Sequence, residues 1–117
     1  MLDNLKNIGE APQWMNEASF KTLSKGYMLE GETPKGMYTR VAKTIANKLN
    51  KPEMEAKFFD YMWRNFLCPA TPVLSNSGTD RGLVISCFGE TVPDSVDGIY
   101  KSVHEMAMLS KFGGVVS

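Results

Sequence analysis

The sequence predicts a mainly α-helical protein with one or two short β-strands. Three stretches of the chain repeat apolar residues at helical spacing, and each begins at a capping residue or a proline. A single short run, residues 83–88, is apolar and β-branched at its centre, as in a buried strand. The 117 residues have the length of one ordinary domain, which is enough to bury a core.

The beginning of the chain is predicted to hold little regular structure. Residues 1–17 contain Gly9 and Pro12 and show no steady period, so we expect an irregular lead-in. A short helix should follow, capped by Asn16 or Ser19 and reaching about Lys25.

Two longer helices are predicted in the centre of the chain. Thr33 and Pro34 supply a cap and a first-turn proline. The apolar stripe that follows comprises Met37, Tyr38, Val41, Ala42, Ile45, Ala46 and Leu49, with Arg40 on the opposite, polar side. A second helix begins at Pro52 and carries Met54, Phe58, Tyr61, Met62 and Phe66. Because the turn between the two helices is short, we expect an antiparallel hairpin.

The segment after Cys68 is predicted to be extended and then to form a strand. Pro69 ends the preceding helix, Val73 and Leu74 are expected to be extended, and residues 75–80 are rich in turn formers. One strand at residues 83–88 cannot form a sheet alone. Its partner is therefore expected from Val73 and Leu74, from another chain, or from sequence outside this chain.

A last helix is predicted to begin at Asp94, with Asp97 as a capping-box partner three residues later. Its apolar face comprises Val96, Ile99, Tyr100, Val103, Ala107 and Ser110. Gly113 and Gly114 should end this helix, because glycine readily supplies a left-handed cap.

Charge and composition exclude several classes of function. Thirteen Lys and Arg balance thirteen Asp and Glu, so neither a nucleic-acid groove nor a basic membrane-binding patch is expected. No apolar run approaches the roughly 20 residues that span a bilayer. The residues after Met1 lack the apolar core of a secretion signal. We therefore expect a cytoplasmic protein in which both cysteines are reduced thiols.

Cys87 is the first candidate for chemistry. A thiol at the end of a strand suits a redox or nucleophilic site, whereas a small buried hydrophobe is the commoner fate of a free cysteine. Cys68 is expected to be a packing residue, and His104 a solvated surface residue. The cysteines lack the spacing of a zinc site, so no metal ligands are predicted.

Two further segments permit a structural and a functional interpretation. Asp94 and Ser95 could cap a helix through their own backbone, or this helix start could also bind an anionic ligand. Gly113 and Gly114 could be a helix cap only, or could let a ligand approach the backbone closely.

The order of four motifs resembles the large (α) subunit of class I ribonucleotide reductase, in its bacterial and phage form. No single motif would carry this resemblance, but together they extend over about residues 18–114. They are Phe66-Leu-Cys-Pro-Ala-Thr-Pro-Val-Leu-Ser-Asn76, Leu83-Val-Ile-Ser-Cys-Phe88, Asp94-Ser-Val-Asp-Gly-Ile-Tyr100 and Ser110-Lys-Phe-Gly-Gly114.

The resemblance implies a role for seven residues. Cys87 matches one of two cysteines that supply electrons for reducing the ribose 2′-hydroxyl by closing to a disulfide. Thr71, Ser86 and Gly114, together with Cys87, match substrate-contacting positions. The motif that begins at Asp94, with Ser95 and Val96, matches the segment that binds a nucleoside triphosphate specificity effector.

The resemblance also implies partners and a domain organisation. It implies a large-subunit homodimer, a metal-containing small subunit that supplies the radical, a ribonucleoside diphosphate substrate, and thioredoxin or glutaredoxin as reductant. Residues 18–68 would be an N-terminal helical segment. Residues 69–114 would begin a ten-stranded α/β barrel, and residues 115–117 would be a non-family tail.

The family's radical cysteine and its second reducing cysteine lie beyond the positions matched here. We therefore expect the chain to be the N-terminal portion of a reductase and inactive without the remainder of the large subunit. The alternatives are a non-catalytic nucleotide-binding or dimerisation fragment, and a free-standing small thiol protein.

Overall fold

The computed structural model describes residues 1–117 and confirms the mainly α-helical fold class. It contains six helices, one 3₁₀ turn (Pro52–Met54) and a two-stranded sheet. The elements in chain order are α1 (Leu2–Asn7), α2 (Glu17–Ser24), α3 (Pro34–Lys48), α4 (Glu55–Trp63), α5 (Thr71–Asn76), β1 (Cys87–Phe88), α6 (Val96–Lys111) and β2 (Val115–Val116).

The short 3₁₀ turn connects α3 to α4, and the two helices pack against each other, as the short turn in the sequence predicts. The Thr33 hydroxyl accepts a hydrogen bond from the Gly36 amide at 3.1 Å and so caps α3. Helix α4 ends at Trp63 rather than reaching Phe66, because Asn65 adopts a left-handed backbone conformation (φ 61°).

The hydrophobic core lies entirely within residues 2–74. Its members come from α1 to α5 and the loop before α2: Leu2, Ala11, Met15, Phe20, Met37, Tyr38, Val41, Ala42, Met62 and Leu74. The predicted irregular lead-in is therefore wrong for α1, since Leu2 is buried in this core and holds the helix in place.

Residues 71–76 form helix α5, so the prediction that Val73 and Leu74 are extended is wrong. Pro72 lies in the first turn, where a missing N–H costs nothing, and Leu74 is buried in the core. The Ser75 hydroxyl donates to the Thr71 carbonyl at 2.9 Å. The burial of Leu74 in the core therefore keeps residues 71–76 helical, although Ser75 and Asn76 are residues that favour turns.

Strand β1 pairs in parallel with β2, with Cys87 opposite Val115 and Phe88 opposite Val116. Helix α6 supplies the crossover that a parallel pair requires. The partner strand, β2, therefore comes from none of the three places that the sequence analysis expected. The predicted strand over residues 83–88 is also shortened to its last two residues, because the β2 ladder pairs only with Cys87 and Phe88 and reaches back no further than the Ser86 carbonyl.

Helix α6 begins one residue later than predicted. Its cap is Ser95, whose hydroxyl accepts from the Gly98 amide at 3.0 Å, so the capping box of Asp94 and Asp97 is not formed. The other end matches the prediction: Gly113 is left-handed (φ 87°), and the amides of Gly113 and Gly114 bond back to the last turn.

The molecule is elongated, with extents of 61 × 33 × 23 Å. The β1–α6–β2 unit contributes nothing to the core cluster and leaves its apolar side chains largely in solvent. No helix combines the length and apolar character needed to cross a membrane.

Candidate thiol site on the two-stranded sheet

Cys87 is the first residue of β1, and its side chain is a free thiol exposed to solvent. The alternative of a buried packing residue is therefore wrong for this position. Its sulfur lies 3.9 Å from the Ser86 hydroxyl oxygen, at the outer limit of a sulfur hydrogen bond. The thiol is thus available to a reaction partner approaching the end of the sheet.

The backbone on both sides of Cys87 is held by β2. The Ser86 carbonyl accepts a hydrogen bond from the Val115 amide, and the Phe88 carbonyl accepts from the Ser117 amide at 3.0 Å. The Ser117 carbonyl in turn accepts from the Glu90 amide at 3.2 Å. These bonds fix the peptide groups before and after the thiol.

Gly114 lies directly against β1. A Cβ atom at this position would be 2.8 Å from the Phe88 ring, which is closer than real Cβ atoms come, and 3.0 Å from the Leu109 carbonyl oxygen, which is tighter than most such contacts. Any larger residue would therefore force the Phe88 ring to move away from this position. The structure thus brings together three of the four predicted substrate-contacting residues, Ser86, Cys87 and Gly114.

The fourth such residue, Thr71, occupies a different place. It begins α5, and its hydroxyl oxygen is 2.9 Å from the Tyr27 hydroxyl oxygen. It borders a cavity of about 630 Å³ that is lined mainly by apolar side chains from α2, α3 and the segment after α4. None of the hydrogen bonds of Thr71 reaches β1 or β2, so the structure does not join it to Cys87.

The predicted effector segment lies at the exposed N-terminal end of α6. Asp94, Ser95 and Val96 are all exposed, Val96 at 74%. Ser95 satisfies one of the first amides of the helix, as a cap should. The segment is thus open to a ligand. Ser95 also caps α6, which is the structural role that the sequence analysis considered.

A partly buried ion pair joins the loop before α3 to the rest of the helical unit. Arg40 donates from Nε and Nη2 to the two carboxylate oxygens of Glu32, at 2.8 and 3.0 Å. Both side chains are only 11% exposed, because the loop before α3 and the end of α5 cover this polar side of the helix. The residues are eight apart across a loop, and no spacing rule in the sequence relates them.

The Glu32 carboxylate is held in its charged form. Burial raises the pKa of Glu32, but the hydrogen bonds from Arg40 and from the Leu29 amide, with the nearby positive charges, outweigh that effect. The net result is a pKa of Glu32 below its ordinary value of 4.5.

Three other residues that the sequence analysis named, Tyr38, Cys68 and His104, can be placed. Burial, with a smaller contribution from the nearby Cys68 thiol, raises the pKa of Tyr38, which lines the same cavity as Thr71. Cys68 itself is exposed rather than packed, whereas His104 lies exposed on α6 as predicted. No three His, Cys, Asp or Glu side chains lie close enough together to hold a metal ion.

Comparison with known protein families gives one match over more than half of the chain. Residues 13–82 match the family model described as "Ribonucleotide reductase, all-alpha domain". The matched range includes eight of the ten core residues, from Met15 to Leu74, together with the rest of α5 and the loop that follows it.

Individual relatives are similar over a longer part of the chain. A ribonucleoside-diphosphate reductase subunit alpha from Treponema pallidum is 38% identical over 85 residues, covering 71% of this chain and 10% of the relative. The Helicobacter pylori (strain ATCC 700392 / 26695) subunit alpha is 33% identical over 106 residues, covering 85% of this chain and 14% of the relative.

A solved structure is similar over nearly all of the chain. The class Id ribonucleotide reductase alpha subunit of Actinobacillus ureae superposes with a TM-score of 0.81 at 39% identity, covering 89% of this chain. The chain spans 20% of that solved chain, and 10% and 14% of the two relatives above.

Proposed function

This chain belongs to the ribonucleotide reductase large-subunit family, and we propose that it supplies the N-terminal region of a ribonucleoside-diphosphate reductase. The observation that carries the proposal is Cys87, an exposed thiol whose neighbouring peptides are fixed by a parallel strand. The activity belongs to the assembled enzyme, of which this chain is one part.

Cys87 would act as one of two reducing thiols. Replacing the ribose C2′–OH bond by C2′–H and releasing water consumes two electrons and two protons. Two thiols supply both when their sulfurs join in a disulfide. The second thiol would come from the remainder of the large subunit. Solvent access to Cys87 supports this role, because its sulfur has to meet a partner sulfur from the remainder of the large subunit.

The remaining site residues have roles in binding. Ser86 and Gly114 would contact the ribonucleoside diphosphate beside Cys87, with Thr71 contacting it from α5. Asp94, Ser95 and Val96 would bind a nucleoside triphosphate effector where two large subunits meet. Their exposure at the N-terminal end of α6 supports this assignment, since the free N–H groups of a first helical turn favour anionic groups.

The proposal includes three partners of the assembled enzyme. A metal-containing small subunit would supply the radical, and thioredoxin or glutaredoxin would restore the thiols. The remainder of the large subunit would complete the barrel that residues 69–114 begin. The order of β1 and α6 within residues 69–114 supports this last point, because a strand followed by a helix is the repeating unit of α/β barrels. The assignment of residues 115–117 to a non-family tail stays a prediction.

A reconstitution assay tests the proposal. The chain is combined with the remaining large-subunit polypeptide, the small subunit and a dithiol reductant, and deoxyribonucleotide formation is measured. We expect Cys87→Ser to abolish product formation and the matched variant Cys68→Ser to retain it. An assembled enzyme that stays active with Cys87→Ser would contradict the proposal.

A second candidate is a non-catalytic nucleotide-binding or dimerisation module. The exposed apolar residues of α6 and its free N-terminal end favour this candidate. Saturable nucleoside triphosphate binding or dimerisation, with no reduction in any reconstituted mixture, would support it over the reductase.

A further inference from the structure

We propose that Tyr27 is a positioning residue that orients the Thr71 hydroxyl, and that the Arg40–Glu32 ion pair holds both residues in place. The inference rests on the proposed function, in which Thr71 contacts the substrate. It adds three residues that act on the site without touching the substrate themselves.

The Tyr27 hydroxyl is the side-chain partner of the Thr71 hydroxyl. Their oxygens are 2.9 Å apart, although the residues are 44 positions apart in the sequence. A threonine side chain rotates about a single χ1 bond, and one directed hydrogen bond selects the rotamer that makes it. A hydroxyl has one donor and two acceptor sites, so this bond leaves Thr71 capacity for a second partner.

The backbone around Thr71 is fixed independently of that bond. Thr71 is the first residue of α5, and the ring of Pro72 restricts the backbone of the first turn. Leu74, one turn later, is buried in the core. The hydrogen bond to Tyr27 therefore sets the direction of the hydroxyl, whereas the core sets the position of the Thr71 backbone.

A single guanidinium group connects the two partners of this bond. Arg40 Nη2 donates to the Tyr27 carbonyl at 3.2 Å and to the Leu74 carbonyl at 3.1 Å. Arg40 Nη1 donates to the Ser77 carbonyl at 2.6 Å. The residue that supplies the hydroxyl and the helix that carries Thr71 are thus attached to the same planar cation.

Glu32 fixes the orientation of that cation. Its carboxylate binds Nε and Nη2 of Arg40 together, which is the two-point geometry that prevents the guanidinium plane from rotating. Glu32 also accepts a hydrogen bond from the Leu29 amide at 2.9 Å, two residues from Tyr27. The carboxylate therefore anchors the Tyr27 loop and the cation at once.

The test replaces Tyr27 with phenylalanine, which keeps the ring and removes only the hydroxyl. In the reconstituted reductase we expect Y27F to raise KM for the ribonucleoside diphosphate by roughly 3- to 10-fold, with kcat changed by less than about twofold. The thermal midpoint should stay close to that of the matched control Tyr61→Phe, whose KM should not change. An unchanged KM in Y27F would overturn the inference. So would a higher KM that is accompanied by a lower thermal midpoint, because loss of folded protein would then explain it.

A second measurement on the chain alone separates this inference from the proposed function. Three-bond couplings to the Thr71 methyl carbon report χ1 by NMR. We expect a single rotamer in the unaltered chain and rotamer averaging in Y27F. The same rotamer in both chains would overturn the inference. A reconstituted enzyme that stays active with Cys87→Ser would instead refute the proposed function, and the rotamer result would still stand.

Discussion

The Arg40 side chain shows how much a single residue can hold together in this fold. Its guanidinium donates to three backbone carbonyls and to Glu32, so it ties the loop before α3 to the C-terminal end of α5. Removing either member of such a pair takes the opposite charge away from the other group while that group stays partly buried, and this loss costs more than the pair itself contributes.

Glu32→Gln should therefore destabilise the protein in a pH-dependent way. At pH 7 we expect the free energy of unfolding to fall by about 1–3 kcal/mol, because a charged acceptor of the Arg40 hydrogen bonds is lost. The pKa of Glu32 is lowered in the folded state, so the contribution of its charge is fully present above pH 4.5. That contribution is lost as the pH falls through the lowered folded value.

Urea unfolding at neutral and acidic pH checks this expectation. The difference between Glu32→Gln and the unaltered chain should shrink as the pH falls below 4.5. The exposed Glu53 forms no ion pair, so Glu53→Gln should differ little from the unaltered chain at any pH. A difference for Glu32→Gln that is independent of pH would show that shape, not charge, is responsible.

At the scale of elements, α3 is the helix around which the core is assembled. It begins at the Thr33 cap, and its buried face contacts both α4 and α5. The Thr33 hydroxyl also donates to a carboxylate oxygen of Glu10 at 2.7 Å, so the cap attaches the loop after α1 to this helix. One side chain thus stabilises a helix end and a tertiary contact.

Thr33→Ala should lower the free energy of unfolding by about 1–2 kcal/mol, since it removes both hydrogen bonds of the cap. Chemical denaturation monitored by circular dichroism at 222 nm measures the change. The control is Thr39→Ala, an exposed position inside the same helix, which should change stability by less than about 0.5 kcal/mol. Equal effects at the two positions would mean that the cap contributes nothing beyond helix propensity.

The whole molecule divides into a packed helical part and a nearly coreless sheet part. All ten members of the core cluster precede residue 75, and large apolar side chains of α6 such as Val96 and Tyr100 are 74% and 72% exposed. In the proposed enzyme, the remainder of the barrel and a second large subunit would cover these surfaces.

The two parts should differ in their protection against hydrogen exchange. Local opening needs least free energy where few apolar contacts are broken, so amides of α6 should exchange much faster than those of α3. The expected ratio is at least about 100-fold, or roughly 3 kcal/mol of opening free energy. Mass spectrometry of the deuterated chain measures it, and similar protection in both helices would contradict the division.

Much of the fold and part of the site follow from local patterns. The Thr33-Pro34 start and apolar stripe predict α3, and Gly113 and Gly114 predict the end of α6. The motif resemblance predicts the family, which the comparisons confirm. The patterns fail for α1 and α5, which are too short to show a period and are held by the burial of Leu2 and Leu74.

The sequence by itself determined the helical class, the main helices, the family and the candidate thiol Cys87. Each of these depends on residue type and short-range spacing. Only the tertiary structure decided which strand pairs with Cys87, where Thr71 lies, and that Arg40 pairs with Glu32. These contacts join residues whose separation is set by loops and crossovers, and no local periodicity encodes that separation.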